Sequence, residues 1–464
     1  MVHTFTALGV HVAVDVNSGA VHVLDKMMLD LLDQIVPPMG GKCPNAIKAK
    51  LPQYDPDELD EAWEELKELQ DCGLLFESDD YIDPEAAVQE GAPIKALCLN
   101  VAHDCNLRCR YCFASQGGYG TGKKLMPPEA AKAAIDFVVE HSGKRRNIEV
   151  DFFGGEPMMA LNTVKETVEY ARSIEAEKNK HFRFTMTTNG VLLDDENIAY
   201  FNREMKNCVL SLDGRKQVND AMRIFPNGKG SYDTIVPRFR KLVAARGDQE
   251  YYLRGTFTRE NLDFAEDVRA IAEQGFRHIS VEPCVGPNDD PYAIKEEDLP
   301  RCMEEYEKLA RYLLRHPEVN FFHFNVDLSQ GPCVIKRMRG CGAGAEYVAV
   351  TPEGDIYPCH QFVGKKEYRM GNVLDGTFDA SIADQFANLN IYTREDCRTC
   401  WARFYCSGGC SAANLNANGD LKKPARVGCA LQRKRLECAI AMQAIRAGLA
   451  EDPTEECTAA AAAV

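Results

Sequence analysis

The sequence predicts an α/β protein built on a parallel sheet of six βα units, either open or curved into a partial (β/α)6 barrel, with a smaller module on each side. Three observations carry this expectation. From residue 96 to 320, apolar strands alternate with amphipathic helices, the pattern of a parallel sheet. A hairpin and three helical patterns precede this region, and short segments rich in Gly and Cys follow it.

At the start, "VHVAVDVNSGAVHVLD" places Val10, Val12, Val14 and Val16 on one face, turns at Asn17-Ser18-Gly19, and resumes the alternation at Val21 and Val23. That is a β-hairpin signal. Helical periodicity follows in "DKMMLDLLDQI", in "CPNAIKAKL" and in "DPDELDEAWEELKELQDCG", the last with an acidic first turn and Gly73 as its stop. "LLFESDDYI" (74–82) reads as a closing strand or wing. Residues 1–84 are therefore expected to form a winged-helix module, and 85–95 a linker. The six core strands are "ALCLNVA", "NIEVDFF", "FRFTMT", "CVLSL", "YYLRGTF" and "HISVEP". Helices such as "PPEAAKAAIDFVVEH", "LNTVKETVEYARSIEAEK" and "NLDFAEDVRAIAEQG" lie between them, and "KEEDLPRCMEEYEKLARYLLRH" closes the 96–320 domain. Residues 321–447 form the cysteine-rich domain, with a helix over 429–447, and 448–464 are expected to be a disordered tail.

At 45% hydrophobic and 27% charged residues over 464 positions, the composition is that of an ordinary globular protein. No apolar run reaches the roughly 18 residues of a membrane span. "MVHTFTALGV" lacks the charged and apolar regions of a signal peptide, so a cytoplasmic location is expected. There, 19 cysteines are out of place as disulfides, and metal binding is the better reading. Scattered thiols such as Cys72, Cys98, Cys208 and Cys302 read as core filler or incidental. Residues 1–90 hold 19 acidic and 5 basic side chains, so nearly all of the net −16 lies there. Such a segment repels phosphate backbones and attracts a basic partner; neither a nucleic acid nor a membrane is an expected partner.

"HDCNLRCRYC" sets Cys105, Cys109 and Cys112 in a C-x3-C-x2-C spacing directly after the first core strand. Structural zinc sites and closed iron–sulfur clusters take four protein ligands, so three leave an open position. Other strands end in Gly154-Gly155-Glu156-Pro157, Thr187-Thr188-Asn189-Gly190, Ser211-Leu212-Asp213-Gly214 and Arg254-Gly255-Thr256. Ligands of parallel barrels bind at the C-terminal strand ends, so these residues are expected at one rim around the three thiols. Farther on, Cys341-x12-Gly354-x4-Cys359 is followed by Cys397-x2-Cys400-x5-Cys406-x3-Cys410 and by Cys429. Zinc ribbons are the alternative for these, because C-x2-C repeats also suit zinc.

The three-cysteine loop after the first strand, with GGEP after the second, resembles the radical S-adenosylmethionine (SAM) superfamily. The resemblance implies that Cys105, Cys109 and Cys112 hold three irons of a [4Fe–4S] cluster, the fourth iron being left for the amino and carboxylate groups of SAM. It further implies that the reduced cluster splits SAM into methionine and a 5′-deoxyadenosyl radical. In this resemblance Gly154 and Gly155 let the backbone approach the ligand, and Glu156 meets the methionine ammonium. Asn189 and Ser211 hydrogen-bond the ribose or the methionine end, Arg223 pairs with the SAM carboxylate, and Tyr111 lies against the adenine. The later cysteines match the SPASM pattern. That implies two auxiliary [4Fe–4S] clusters, three clusters in all: an outer one on Cys397, Cys400, Cys406 and Cys429, and an inner one on Cys341, Cys359 and Cys410. The eighth position is filled by Cys333 or left open.

The acidic N-terminal module resembles the peptide-recognition elements that hold a leader peptide as an added strand. A DNA-binding winged helix is the alternative, opposed by the charge. The whole chain resembles a thioether-forming peptide maturase, closest to those of six-cysteine SCIFF peptides in "VDVNSGAVHVLDKMMLDLLD" and "RGTFTRENLDFAEDV". This implies a cysteine-rich precursor peptide as substrate and an electron donor such as flavodoxin or ferredoxin. The rival readings are an anaerobic sulfatase-maturating (formylglycine-forming) enzyme and, outside enzymes, an iron–sulfur redox sensor or scaffold.

Overall fold

The computed structural model describes residues 1–80, 91–287, 289–328 and 338–450. The chain begins with an antiparallel sheet in the order β1 (Val2–Ala7), β2 (Val10–Asp15), β3 (Val21–Leu24). The alternating valines set the register of the hairpin, with Val12 opposite Val23 and Val14 opposite Val21. β1, not anticipated from the sequence, pairs with the other edge of β2. Its turn is Leu8-Gly9, both at positive φ, a conformation that Asn-Gly ordinarily signals and Leu conceals. Helices α1 (Lys26–Leu32), α2 (Asn45–Lys48) and α3 (Pro56–Asp71) follow. Asp25 and Asp55 cap α1 and α3 through their side chains. α3 buries Leu59, Ala62, Trp63 and Leu66, which join Leu29, Leu31 and Leu32 in one apolar cluster.

The expected closing strand at 74–82 does not form over its described part, 74–80. Side chains of the hairpin hold this segment instead of a ladder. Asn17 Nδ2 donates to the Glu77 carbonyl at 2.7 Å, and Glu77 N donates to Asp15 Oδ2 at 3.2 Å. Leu75 is buried beneath it, so the apolar "LLF" marks an anchor rather than a strand.

The core contains β4 (Ala96–His103), β5 (Lys124–Leu125), α4 (Pro128–His141), β6 (Asn147–Gly154), α5 (Leu161–Lys178), β7 (His181–Thr188) and α6 (Asp195–Glu204). It continues with β8 (Met205–Ser211), α7 (Lys216–Met222), α8 (Tyr232–Arg246), β9 (Tyr251–Phe257), α9 (Phe264–Glu273), β10 (His278–Pro283) and α10 (Leu299–Arg315). All six expected strands form, and they pair in the order β4-β6-β7-β8-β9-β10, every pair parallel. Sequential order with right-handed crossovers puts all the helices on one face. A sheet covered on one face only must curl to shelter the other, which gives the partial barrel. Burial alternates accordingly in β6 and β7: Ile148, Val150, Phe152, Phe182, Phe184 and Met186 are fully buried, while the residues between them are partly exposed.

β11 (Asn320–Phe321) adds beside β10. On the opposite edge, β12 (Tyr347–Val350) runs parallel to β4, and β13 (Asp355–Tyr357), β14 (Gly371–Asn372) and β15 (Thr377–Phe378) continue antiparallel. The cysteine-rich region thus extends the barrel sheet itself. Its last helix, α11 (Arg426–Arg446), starts a few residues before the expected one and is tied to α10 by Lys434–Glu307 at 2.6 Å. The N-terminal module docks on the same region. His3 stacks on Trp401 with ring centres 4.1 Å apart, and Arg403 donates to Asn17 Oδ1 at 2.6 Å and Asp79 Oδ2 at 3.0 Å. The expected linker is described only from residue 91, and the expected tail only to 450. Among the described residues no helix is long and apolar enough to cross a membrane.

Candidate active site

The C-terminal strand ends converge on a cavity of about 250 Å³. Cys105, Cys109, Cys112 and Tyr111 line it from the loop after β4, Gly154, Gly155 and Glu156 from β6, Asn189 from β7, Ser211 from β8, and Arg223 from the end of α7. Every barrel residue singled out in the sequence as a cluster or SAM contact therefore faces one space. The wall also includes Arg254, Thr256, Glu282, Pro283 and Cys284, with His360 and Gln361 from the cysteine-rich region.

The two glycines act on the cysteine loop. Gly155 N donates to the Ala102 carbonyl at 2.7 Å, and Glu156 N donates to the Asp104 carbonyl at 2.9 Å. A Cβ on Gly154, at φ 132°, would stand 2.4 Å from the Ala102 oxygen; one on Gly155 would stand 2.1 Å from the Asp104 oxygen. The close approach expected toward a ligand is made, in the first instance, toward the loop that carries the thiols. The far side of that loop is pinned to the end of α7, where Arg108 N and Arg110 N donate to the carbonyls of Ile224 and Met222.

Glu156 is buried and accepts from Thr188 Oγ1 (2.7 Å), Asn189 N (2.8 Å) and Met158 N (3.1 Å). Burial outweighs these bonds and pushes its carboxyl up to about 7. Asn189 Nδ2 donates to Asn106 Oδ1 at 2.7 Å, which ties β7 to the cysteine loop. Asp213, fully buried, organises the opposite wall. It accepts from the Tyr111 hydroxyl at 2.7 and 2.9 Å and from Thr256 N at 3.0 Å, and lies 3.0 Å from Arg223 Nε. The sequence marked Asp213 only as a strand-end residue; its place in "SLDG" was the available signal.

A second group went unread in the sequence. Glu282 at the end of β10 lies 3.5 Å from both Arg254 and His323. Burial raises its carboxyl, but His323, Arg254 and Arg435 outweigh burial and hold it below the usual range. Burial, aided by Arg435, pushes His323 down to about 4. His360, stacked on Phe153 at 4.7 Å, is also pushed down to about 4 by burial and Arg254. Both imidazoles are neutral at pH 7.

The later motif thiols lie in the cysteine-rich region. Cys397, Cys400, Cys406 and Cys429 line a second cavity of about 410 Å³. Burial, with Cys410 and Cys341 nearby, raises the Cys359 thiol to about 12. Cys333 lies outside the described residues. Cys98, Cys208 and Cys302 are buried in the core, whereas Cys72 is exposed at the end of α3. Among the described residues no three His, Cys, Asp or Glu side chains converge on one point as a single ion needs. A cluster takes one thiolate per iron and asks for no such convergence.

The radical SAM superfamily model matches residues 99–248, and that of the SPASM iron–sulfur cluster-binding domain matches residues 341–401. The chain is a radical SAM protein with a SPASM domain. It is 28% identical to the mycofactocin maturase MftC of Mycolicibacterium smegmatis, over 72% of this chain and 82% of that protein. Its fold matches the solved structure of anSMEcpe with bound AdoMet and Cp18Cys peptide at a TM-score of 0.64 and 20% identity, covering 77% of this chain and all of that one. It also matches Streptococcus suis SuiB bound to precursor peptide SuiA at 0.53 and 15%, covering 92% and 98%. Radical SAM and SPASM domains imply [4Fe–4S] clusters and SAM as cofactors. The residues of this radical SAM/SPASM protein fit them: three thiols face the barrel cavity beside buried polar groups, and four thiols share a closed set in the second.

Proposed function

We propose that this radical SAM/SPASM protein installs thioether crosslinks, from cysteine sulfur to carbon, in a ribosomally made cysteine-rich precursor peptide of the SCIFF type. Cys105, Cys109 and Cys112 hold the first cluster. When bound, the reduced cluster supplies one electron to SAM, whose cleavage gives methionine and a 5′-deoxyadenosyl radical. Arg223, fixed by Asp213, presents its guanidinium to the SAM carboxylate. Glu156 faces the ammonium, which favours its ionised form over the raised value of about 7 that burial and its hydrogen bonds together leave. Asn189 and Ser211 serve the ribose or the methionine end, and Tyr111 offers its ring to the adenine. Cys397, Cys400, Cys406 and Cys429 hold the outer auxiliary cluster. Cys341, Cys359 and Cys410 hold the inner one, with Cys333 or an open iron as the eighth position.

The balance is simple. One hydrogen atom leaves a peptide C–H for the deoxyadenosyl radical, the thiol loses its proton, and the C–S bond forms. The electron left over passes to the auxiliary clusters. Residues 1–84 act as the leader-binding module, 96–320 as the radical SAM core and 321–447 as the SPASM domain. An extended leader would add a strand at the edge β3 presents.

The observation that carries this reading is the acidic sheet-and-helix module, docked through Trp401 and Arg403 on the loop of the outer cysteines. The likeness to SuiB leaves out too little of the chain to omit that module, whereas the anSMEcpe likeness stops at 77%. Formylglycine formation is the second reading, favoured by the shared core. Anaerobic reconstitution should give roughly 12 irons per chain, falling to about 8 with no SAM cleavage when Cys105, Cys109 and Cys112 are all replaced by Ala. With SAM, reductant and a cysteine-rich peptide encoded beside the enzyme, the product should lose two hydrogens and one alkylatable thiol per bridge. Deleting residues 1–84 should abolish peptide binding while leaving slow SAM cleavage. A product that has lost its sulfur would favour formylglycine instead. SAM cleavage by the triple variant would overturn the assignment of the first cluster.

A further inference from the structure

Arg394 is among the largest fully buried side chains of the protein, about 2% exposed. Its guanidinium donates to the Gly408 carbonyl at 2.9 Å and to Ser411 Oγ at 3.0 Å, both neutral groups. Its Nε is buried without a hydrogen-bond partner. Among the described residues no carboxylate stands within ion-pair distance of it. An arginine stays charged inside a protein, and a buried charge without a counter-ion is costly. The ionisable groups whose charge bears on Arg394 are the thiols of Cys397, Cys406, Cys410 and Cys429, and both of its hydrogen-bond partners lie within two residues of Cys410. As protonated thiols they would leave the cation uncompensated; as iron-bound thiolates they compensate it. The backbone makes room for this side chain. Gly408, at φ 86°, admits it because a Cβ there would stand 2.1 Å from Arg394 Nη1.

The four thiols belong to both auxiliary sets, Cys410 to the inner and the other three to the outer. Resting on the assignment of two auxiliary clusters above, we propose that Arg394 is a positioning residue whose buried cation lies between those clusters and raises their reduction potentials. A cluster gains one negative charge when it accepts an electron, and a buried cation that has no carboxylate partner of its own favours that state. The residue would thereby draw the electron released at C–S bond formation into the SPASM domain.

The test is a redox titration of the full-length, anaerobically reconstituted protein, followed by EPR, for wild type, Arg394→Met and Arg394→Lys. The SAM cluster's couple is the internal reference and should not move. Arg394→Met is expected to make auxiliary reduction at least tenfold less favourable, which for a one-electron couple is about 59 mV lower. Arg394→Lys, which keeps the charge, should lie near wild type. Auxiliary potentials unchanged in an iron-replete Arg394→Met protein would overturn the proposal. If Arg394→Met loses auxiliary iron, Arg394→Lys decides: iron retained at near-wild-type potential supports the cation, and iron lost from both variants shows that only the guanidinium's hydrogen bonds matter. A wild-type protein with iron for a single cluster would instead refute the auxiliary-cluster reading itself.

Discussion

Gly155→Ala isolates how the barrel holds its first cysteine loop. The added Cβ would stand 2.1 Å from the Asp104 oxygen and 2.9 Å from Gly117 Cα, where ordinary contact begins at 3.4 Å. The loop must therefore retreat by about 3.4 − 2.1 = 1.3 Å at Asp104. That carbonyl is the acceptor of the 2.9 Å bond from Glu156 N, which a retreat of this size stretches beyond hydrogen-bond range. Overpacking costs about 1–3 kcal/mol and the lost bond about 1 kcal/mol. Folding survives such a change, but the site suffers more, because Cys105 follows Asp104 directly. A displacement of about 1 Å at a reacting centre costs on the order of 100-fold. Gly155→Ala should fold, melt a few degrees lower, bind the first cluster weakly and cleave SAM roughly 100-fold more slowly. Gly40→Ala is the control, since a Cβ there meets nothing within 4 Å. Iron analysis and deoxyadenosine release by chromatography supply both readouts. Wild-type iron and cleavage rate in Gly155→Ala would refute the reasoning.

Asp213→Asn keeps the shape of the group that ties Tyr111 and Thr256 but leaves Arg223 without its counter-ion; with side chains 0% and 11% exposed, the pair is buried. A loss of about 3–5 kcal/mol in denaturant unfolding, together with weaker SAM binding by calorimetry, is the expected outcome, and unchanged values for both would discount the pair. His360→Phe tests a pH effect. The folded-state value of about 4 lies below the unfolded 6.5, so the unfolded chain binds more protons between them. The contribution is complete above pH 6.5 and is lost as pH falls through 4. Phe preserves the stack on Phe153, so melting curves of His360→Phe should decline less than wild type over that window; parallel curves would show that the imidazole is not held neutral.

The six core strands were legible because each carries an apolar run that ends in Gly or a polar side chain, and these ends form the rim of the cavity. The division of the later thiols into two sets came from the resemblance to SPASM domains rather than from spacing; Cys397, Cys400, Cys406 and Cys429 line one cavity. What stayed hidden depended on partners distant in sequence or on backbone conformation. Leu8-Gly9 turns without a turn residue's signature at its first position, so β1 went unseen. β12 pairs with β4 across some 250 residues, and no local pattern records a parallel partner that far away. Arg394 in "YTREDC" reads as a surface arginine until burial and the missing carboxylate reveal it. His360 is screened by the louder Cys359 before it.

The pairing of β12 with β4 has a consequence for how the site is closed. β4 also pairs with β6 and carries the cysteine loop at its end, so a single strand positions the first thiols, the GGEP turn and the start of the SPASM sheet. His360 and Gln361 reach the cavity from the residues just after β13, the hairpin partner of β12. The barrel is therefore walled on its open side by a segment registered to its own first strand, and Cys359 sits in that segment. By contrast, the N-terminal module meets the rest of the protein at Trp401 and Arg403, between Cys400 and Cys406, and at α11, where His3 lies 3.3 Å from Glu437. The cysteine-rich region is thus the physical connection between module and cavity. If the module holds a substrate that reacts in the cavity, as proposed, this region lies between the two.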